Sequence, residues 1–177
     1  VDIVAKAFVA ASLAEPELRW ILLGRGTQEP EIMKIFEDAG MKDRVYFGGV
    51  ITQNNLPDYY QAADLYLSAS RSDGSSVSLM ESLACGLPVL VSDIPGNQEW
   101  IEQGKNGWMF ETDSVENLTD SILEIVKNKQ QLPIVGQEAR KTAEKKANWE
   151  KNFKELLEAY QYAMNTKHFH GESSDNF

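Results

Sequence analysis

Five short apolar runs, each joined to the next through a segment with helical spacing, set the strongest limit on how this chain folds. They are 18–24 (LRWILLG), 44–48 (RVYFG), 64–69 (DLYLSA), 88–92 (PVLVS) and 107–110 (GWMF). A strand with one wet face alternates apolar and polar residues; a run that is apolar nearly throughout suits a strand covered on both faces. Between the runs lie helical stretches: 30–39, a segment carrying Leu56, Tyr59, Tyr60 and Ala63, and 77–85 closed by Gly86. Strands alternating with helices predict a parallel sheet covered on both sides, a doubly wound α/β domain.

After Phe110 the strand signals stop. Ser114 stands where a helix N-cap belongs, ahead of Leu118, Ile122, Ile125 and Val126. Pro133 opens a further helix to about Ala147. Asn148 or Trp149 starts a last one, with Phe153, Leu156, Leu157 and Tyr160 on one face. The expected organisation is a domain over 1–147, a carboxyl-terminal helix over 148–165 and a polar, unpatterned, disordered tail over 166–177. His168 and His170 in that tail are read as tail residues, not metal ligands. At the other end, 1–12 (VDIVAKAFVAAS) reads as a helix, so the first strand of the domain is expected to lie outside the chain. Asp2 and Lys6 interrupt its apolar residues, so neither a signal peptide nor a membrane span is expected.

The 177 residues, 42% of them hydrophobic, suffice for one core without a staple, and Cys85 is the single cysteine. Seventeen basic against 27 acidic residues give a net charge of −10, a field that repels a polyanion. The basic stretch 140–146 (RKTAEKK) has acids around it and reads as a solvated helix face. Nucleic acid is therefore not an expected partner. A small phosphorylated ligand is compatible, because a few backbone amides and one or two cations hold it.

In such a sheet, ligands meet the loops that leave the carboxyl ends of the strands. Gly24-Arg25-Gly26-Thr27 follows a strand, and is either a close approach for an anion or a tight turn. Gly48-Gly49-Val50 either admits a flat base or turns the chain. The segment 70–81 (SRSDGSSVSLME) carries the most chemistry. A strand ends, small residues cross, and a helix begins near Ser75 or Ser76, so that the amides of Ser76, Val77 and Ser78 point outward toward a diphosphate. Asp73 precedes that terminus and Glu81 lies within the helix. Too far apart for a dyad, the two carboxylates can bracket one elongated ligand and accept hydrogen bonds from sugar hydroxyls. Asp73 has a second reading as the N-cap, and Glu81 sits among Met80, Leu83, Ala84 and Cys85 on a largely buried helix. Glu99, in 92–100 (SDIPGNQEW), is assigned a structural role.

Asp73-Gly-Ser-Ser-Val-Ser-Leu-Met-Glu81, followed by SLACGLPVLVSD, resembles the donor-site signature of retaining family 4 glycosyltransferases of the GT-B fold. Val45-Tyr-Phe-Gly-Gly-Val, the segment from Tyr59 to Asp64 and Gly96-Asn-Gln-Glu-Trp-Ile-Glu-Gln-Gly-Lys-Asn-Gly107 follow the same family pattern in the same order. The resemblance implies a single Rossmann-like, carboxyl-terminal half of a GT-B enzyme, with a nucleotide-diphosphate-sugar such as a UDP- or GDP-sugar as donor. The family's first motif acid contacts the sugar and its second the ribose, roles that fall on Asp73, as the catalytic position, and Glu81. The residues Gly74, Ser75, Ser76, Val77 and Ser78 would line the diphosphate, Gly49 and Val50 the base, and Gly24 and Arg25 would complete the donor site. No cofactor and no metal are implied.

Asp73 is one methylene shorter than the family's Glu. The family's Arg-x4-Lys pair and its amino-terminal lobe, which supplies much of the acceptor site, are expected upstream of Val1. The leaving diphosphate needs those cations, so the 177 residues are expected to be inactive alone. The last helix resembles the segment that packs back on the other lobe, which would leave its stripe exposed here. The parent is expected to move a hexose to a glycan or lipid-linked acceptor in polysaccharide biosynthesis, in the cytoplasm; peripheral contact with the inner face of the membrane stays open. Two alternatives stand beside this: a UDP-N-acetylglucosamine 2-epimerase-like enzyme, and a non-catalytic nucleotide-binding module.

Overall fold

A computed structural model of the chain describes residues 1–167. It contains α1 (Asp2–Ala14), β1 (Trp20–Leu23), α2 (Glu29–Asp38), β2 (Val45–Gly49), α3 (Leu56–Ala62), β3 (Tyr66–Ser68) and α4 (Val77–Ala84). There follow β4 (Val89–Ser92), α5 (Pro95–Gln98), β5 (Trp108–Phe110), α6 (Val115–Lys127), α7 (Leu132–Lys146) and α8 (Trp149–Lys167). Every expected strand and helix is present; four strands are one to three residues shorter than their apolar runs, and β2 keeps its length but is shifted by one residue.

Local chemistry places the helix ends. Prolines occupy the first turn of α2, α3, α5 and α7, where the missing N–H costs nothing. Ser114 caps α6 as expected, its Oγ accepting from the Asn117 N–H at 3.2 Å. Behind α4, Gly86 takes a φ of +72°, which lets the Leu87 N–H turn back to the Ser82 carbonyl at 3.0 Å and close the helix.

All strand pairs are parallel, but they form two sheets, β1-β2 and β3-β4-β5, in place of one continuous ladder. The doubly wound order 3-2-1-4-5-6 explains the division. With β2, β1, β3, β4 and β5 in places 3, 2, 4, 5 and 6, place 1 falls between β1 and β3, and no strand of the described residues fills it. Helix α1 spans the two sheets instead. Its Ile3, Val4, Ala7 and Ala11 form one buried cluster with Leu90 of β4, Phe110 of β5 and Leu118, Ile122 and Ile125 of α6; Trp20 of β1 and Leu67 of β3 pack against the same cluster. Phe8 continues it toward α2, its ring centroid 5.9 Å from those of Trp20 and Phe36.

On the opposite face, Leu79 and Leu83 of α4 and Ala139 and Ala143 of α7 cover Val89 and Val91 of β4. With Leu90 facing the α1 side, β4 is buried on both faces, the physical basis of its unbroken apolar run.

The last helix extends to Lys167, so Thr166 and Lys167 belong to it and not to the tail. The disorder expected over 168–177, with His168 and His170, lies outside the described residues. Phe153, Leu156, Leu157 and Tyr160 are exposed. Among the described residues, no helix is long and apolar enough to cross a membrane.

Candidate functional site

The loops at the carboxyl ends of β1 and β2 meet. Gly24, at φ +101°, donates its N–H to the Gly49 carbonyl at 2.7 Å, and Gly49 itself takes φ +66°. Both conformations favour glycine. The Arg25 guanidinium lies over Gly49, where a Cβ would stand 3.7 Å from Nε, and Val50 projects into solvent. Gly24 and Arg25 of one expected loop and Gly49 and Val50 of another therefore form one surface.

The loop between β3 and α4 is anchored from the next strand. Ser92 at the end of β4 donates its hydroxyl to the Ser70 carbonyl at 2.5 Å, and the buried Asn97 donates Nδ2–H to the Ser92 carbonyl at 2.8 Å. Arg71 pairs with Asp113 at 2.7 Å on the surface, and that bond raises the guanidinium pKa further. Farther along, the backbone of Asp73 and Gly74 rests directly on Gly96. A Cβ on Gly96 would fall well inside contact distance of both their carbonyl oxygens.

Ser76, and not Asp73, is the N-cap of α4. Its Oγ accepts from the Leu79 N–H at 3.4 Å, and its carbonyl accepts from Met80 at 3.1 Å. The capping alternative for Asp73 is thereby overturned: it lies three residues before the cap, too far back to reach the helix amides, and is exposed with Gly74 and Ser75. The amides of Val77 and Ser78 precede the first intrahelical bond and face outward at the positive end of the helix dipole.

Beneath this terminus lies a hydroxyl network that sequence reasoning missed. Tyr66 Oη and Ser78 Oγ are 2.8 Å apart, and Ser78 Oγ is 3.1 Å from Ser76 Oγ. Tyr60, from α3, donates its hydroxyl to Glu81 Oε2 at 3.2 Å and approaches the Ser78 carbonyl at 3.4 Å. Burial, then the adjacent Glu81 charge, push the Tyr60 phenol far above its ordinary value, so it is a neutral donor throughout the physiological range. Glu81 itself is half-buried, fifth in α4, and so held by α3 rather than sunk in the core.

Glu99 has the structural place expected of it: it ends α5, and its carbonyl accepts from Lys146 Nζ at 2.5 Å. Among the described residues, no hydrogen bond or ion pair links the Gly24–Gly49 surface to the Asp73 loop, and no cluster of three His, Cys, Asp or Glu side chains could hold a metal. Gly96, Asn97, Tyr60 and Tyr66 are the residues whose parts were not foreseen. Gly96, Asn97 and Tyr60 lie in segments that carry the family pattern, which marked the segments but not these contacts.

A two-faced parallel α/β lobe, with glycine loops and a capped helix terminus at the carboxyl end of its strands, defines a class of nucleotide-binding domains. Residues 1–148 match the family model of glycosyl transferases group 1, and the chain belongs to that family. It is 34% identical over 124 residues, 70% of the chain and 24% of the relative, to the GtfA subunit of UDP-N-acetylglucosamine–peptide N-acetylglucosaminyltransferase from Streptococcus gordonii. In fold it is similar to the pneumococcal O-GlcNAc transferase GtfA, solved with UDP and GlcNAc, with a TM-score of 0.75 and 26% identity over 93% of this chain and 32% of that one. It also matches the carboxyl-terminal domain of a group 1 glycosyl transferase, LpcC, from Francisella tularensis, with a TM-score of 0.75 and 18% identity over 83% of this chain and 78% of that one. The chain spans between 23% and 37% of the length of the most similar curated relatives.

Proposed function

We propose that this chain is the donor-binding half of a retaining glycosyltransferase that takes a UDP-sugar. The observation that carries the reading is the Asp73–Gly74 backbone seated on Gly96 directly ahead of the capped terminus of α4, with Glu81 on the same helix. A diphosphate placed at that terminus meets the Val77 and Ser78 amides, aided by Ser76, and leaves Asp73 to the sugar and Glu81 to the ribose. Gly74 and Ser75 let the loop close over the phosphates, while Gly49 and Val50, with Gly24 and Arg25, flank the base.

The choice of UDP rests on relatives: GtfA carries UDP-N-acetylglucosamine in its name, and its pneumococcal form was solved with UDP and GlcNAc. In transfer, the sugar–phosphate bond breaks and the nucleoside diphosphate leaves with the electron pair. Helix amides stabilise part of that charge, and cations from the rest of the protein supply what they lack. This chain alone binds donor without turning it over, the acceptor (a glycan, a lipid-linked sugar or a peptide) being held by the companion lobe. The same lobe covers the exposed stripe of α8.

Two substitutions test the reading by calorimetric titration with UDP and UDP-N-acetylglucosamine. Asp73→Asn keeps the affinity for UDP and weakens the nucleotide sugar by about fivefold, the difference between a charge-assisted hydrogen bond and a neutral one. Equal losses on both ligands would remove Asp73 from the sugar. Gly96→Ala lifts the Asp73–Gly74 backbone and weakens both ligands by about tenfold, within the usual range for forced overpacking. Unchanged affinity would mean that the loop's seat on Gly96 does not shape the site.

A further inference from the structure

Tyr60 lies on α3, outside every loop that leaves the carboxyl end of a strand, yet its hydroxyl reaches the acid assigned to the ribose. We propose that Tyr60 is a positioning residue which fixes the Glu81 carboxylate for the vicinal hydroxyls of a ribonucleotide, and so sets the preference for ribose over deoxyribose. The proposal rests on the reading of Glu81 as the ribose acid.

A glutamate on a helix surface samples several rotamers, and a ligand that needs one of them must order the side chain on binding. Here the ordering is built in. Tyr60 Oη donates to Glu81 Oε2, leaving Oε1 with both lone pairs, and one on Oε2, for incoming hydroxyls. The tyrosine is itself held: its ring lies against Tyr66, centroids 6.3 Å apart and tilted by 57°, and Tyr66 grips Ser78 on the first turn of α4. One aromatic pair thus locks both the phosphate end of the helix, through Ser78, and the acid one turn further on, through Glu81. Neither tyrosine needs to touch the ligand.

The test measures UDP and 2′,3′-dideoxy-UDP binding to the wild-type chain and to Tyr60→Phe, which keeps the ring and its packing. The wild type should prefer UDP by about tenfold or more. Tyr60→Phe should lower UDP affinity by about tenfold and leave the dideoxy compound within about twofold, the effect of releasing one hydrogen bond to a charged group. The preference for ribose then collapses while the unfolding temperature of the free chain stays near its original value. Equal losses on both ligands would overturn the proposal, because Tyr60 would then shape the lobe as a whole. An undiminished preference in Tyr60→Phe would overturn it too, and leave the ribose reading of Glu81 standing. A wild type that does not distinguish the two compounds would instead overturn that reading, and the proposal with it.

Discussion

Phe110→Ala lowers the stability of the folded chain by about 3–5 kcal/mol, the cost of removing a large ring from a packed interior. Phe110 ends β5 and is 1% exposed. Its neighbours in the cluster are Ile3, Val4, Ala7 and Ala11 of α1 and Leu118, Ile122 and Ile125 of α6, three of them alanines or valines too short to refill the space. For a domain of this size each kcal/mol moves the midpoint by about 2–4 °C, so thermal unfolding should begin about 10 °C earlier. Leu13→Ala is the control: it sits on the same helix α1 but is 75% exposed, and should change stability by no more than about 0.5 kcal/mol. A loss below about 1 kcal/mol for Phe110→Ala would mean that α1 and α6 collapse onto β5 far more freely than close packing allows.

Glu81→Ala weakens UDP binding by about 1.5–3 kcal/mol, some ten- to a hundredfold, if its carboxylate accepts from the ribose. Alanine is the strongest helix former, and the residue stands in the interior of α4 with its side chain half-buried, so the helix survives the change. Glu81→Gln separates charge from shape: its amide oxygen still accepts from Tyr60, and part of the affinity remains. Titration calorimetry at fixed pH and salt gives all three values. Unchanged UDP affinity in Glu81→Ala would take Glu81 out of the site and leave its bond to Tyr60 as a helix–helix contact only.

The legible parts of this molecule are those written in local chemistry. Pro133 on a first turn, Ser114 as a cap and Gly86 behind α4 each declare a boundary through what one residue can do, and each is found where expected. The apolar run 88–92 declared a strand buried on both sides, and β4 is that strand. Asp73 and Ser76 compete for one cap when only spacing is known; three-dimensional reach decides for Ser76. Pairings across long stretches of chain were out of view. The bond from Tyr60 to Glu81 spans 21 positions, and the contact of Gly96 with Asp73 joins two loops from different strands. Periodicity says that a residue faces inward, but not which residue it meets. Where the ladder is interrupted was hidden for the same reason, since strand order is a property of the whole sheet.

That interruption hands the joining of the two sheets to side-chain packing. The surface formed by Gly24 and Gly49 belongs to one sheet, and the Asp73 loop with α4 belongs to the other. No ladder bond among the described residues rivets the two together; α1 joins them, its Ile3, Val4, Ala7 and Ala11 sharing one buried cluster against which Trp20 of β1 and Leu67 of β3 both pack. The relative set of the two surfaces thus rests on the side-chain packing of α1 rather than on a strand ladder among the described residues.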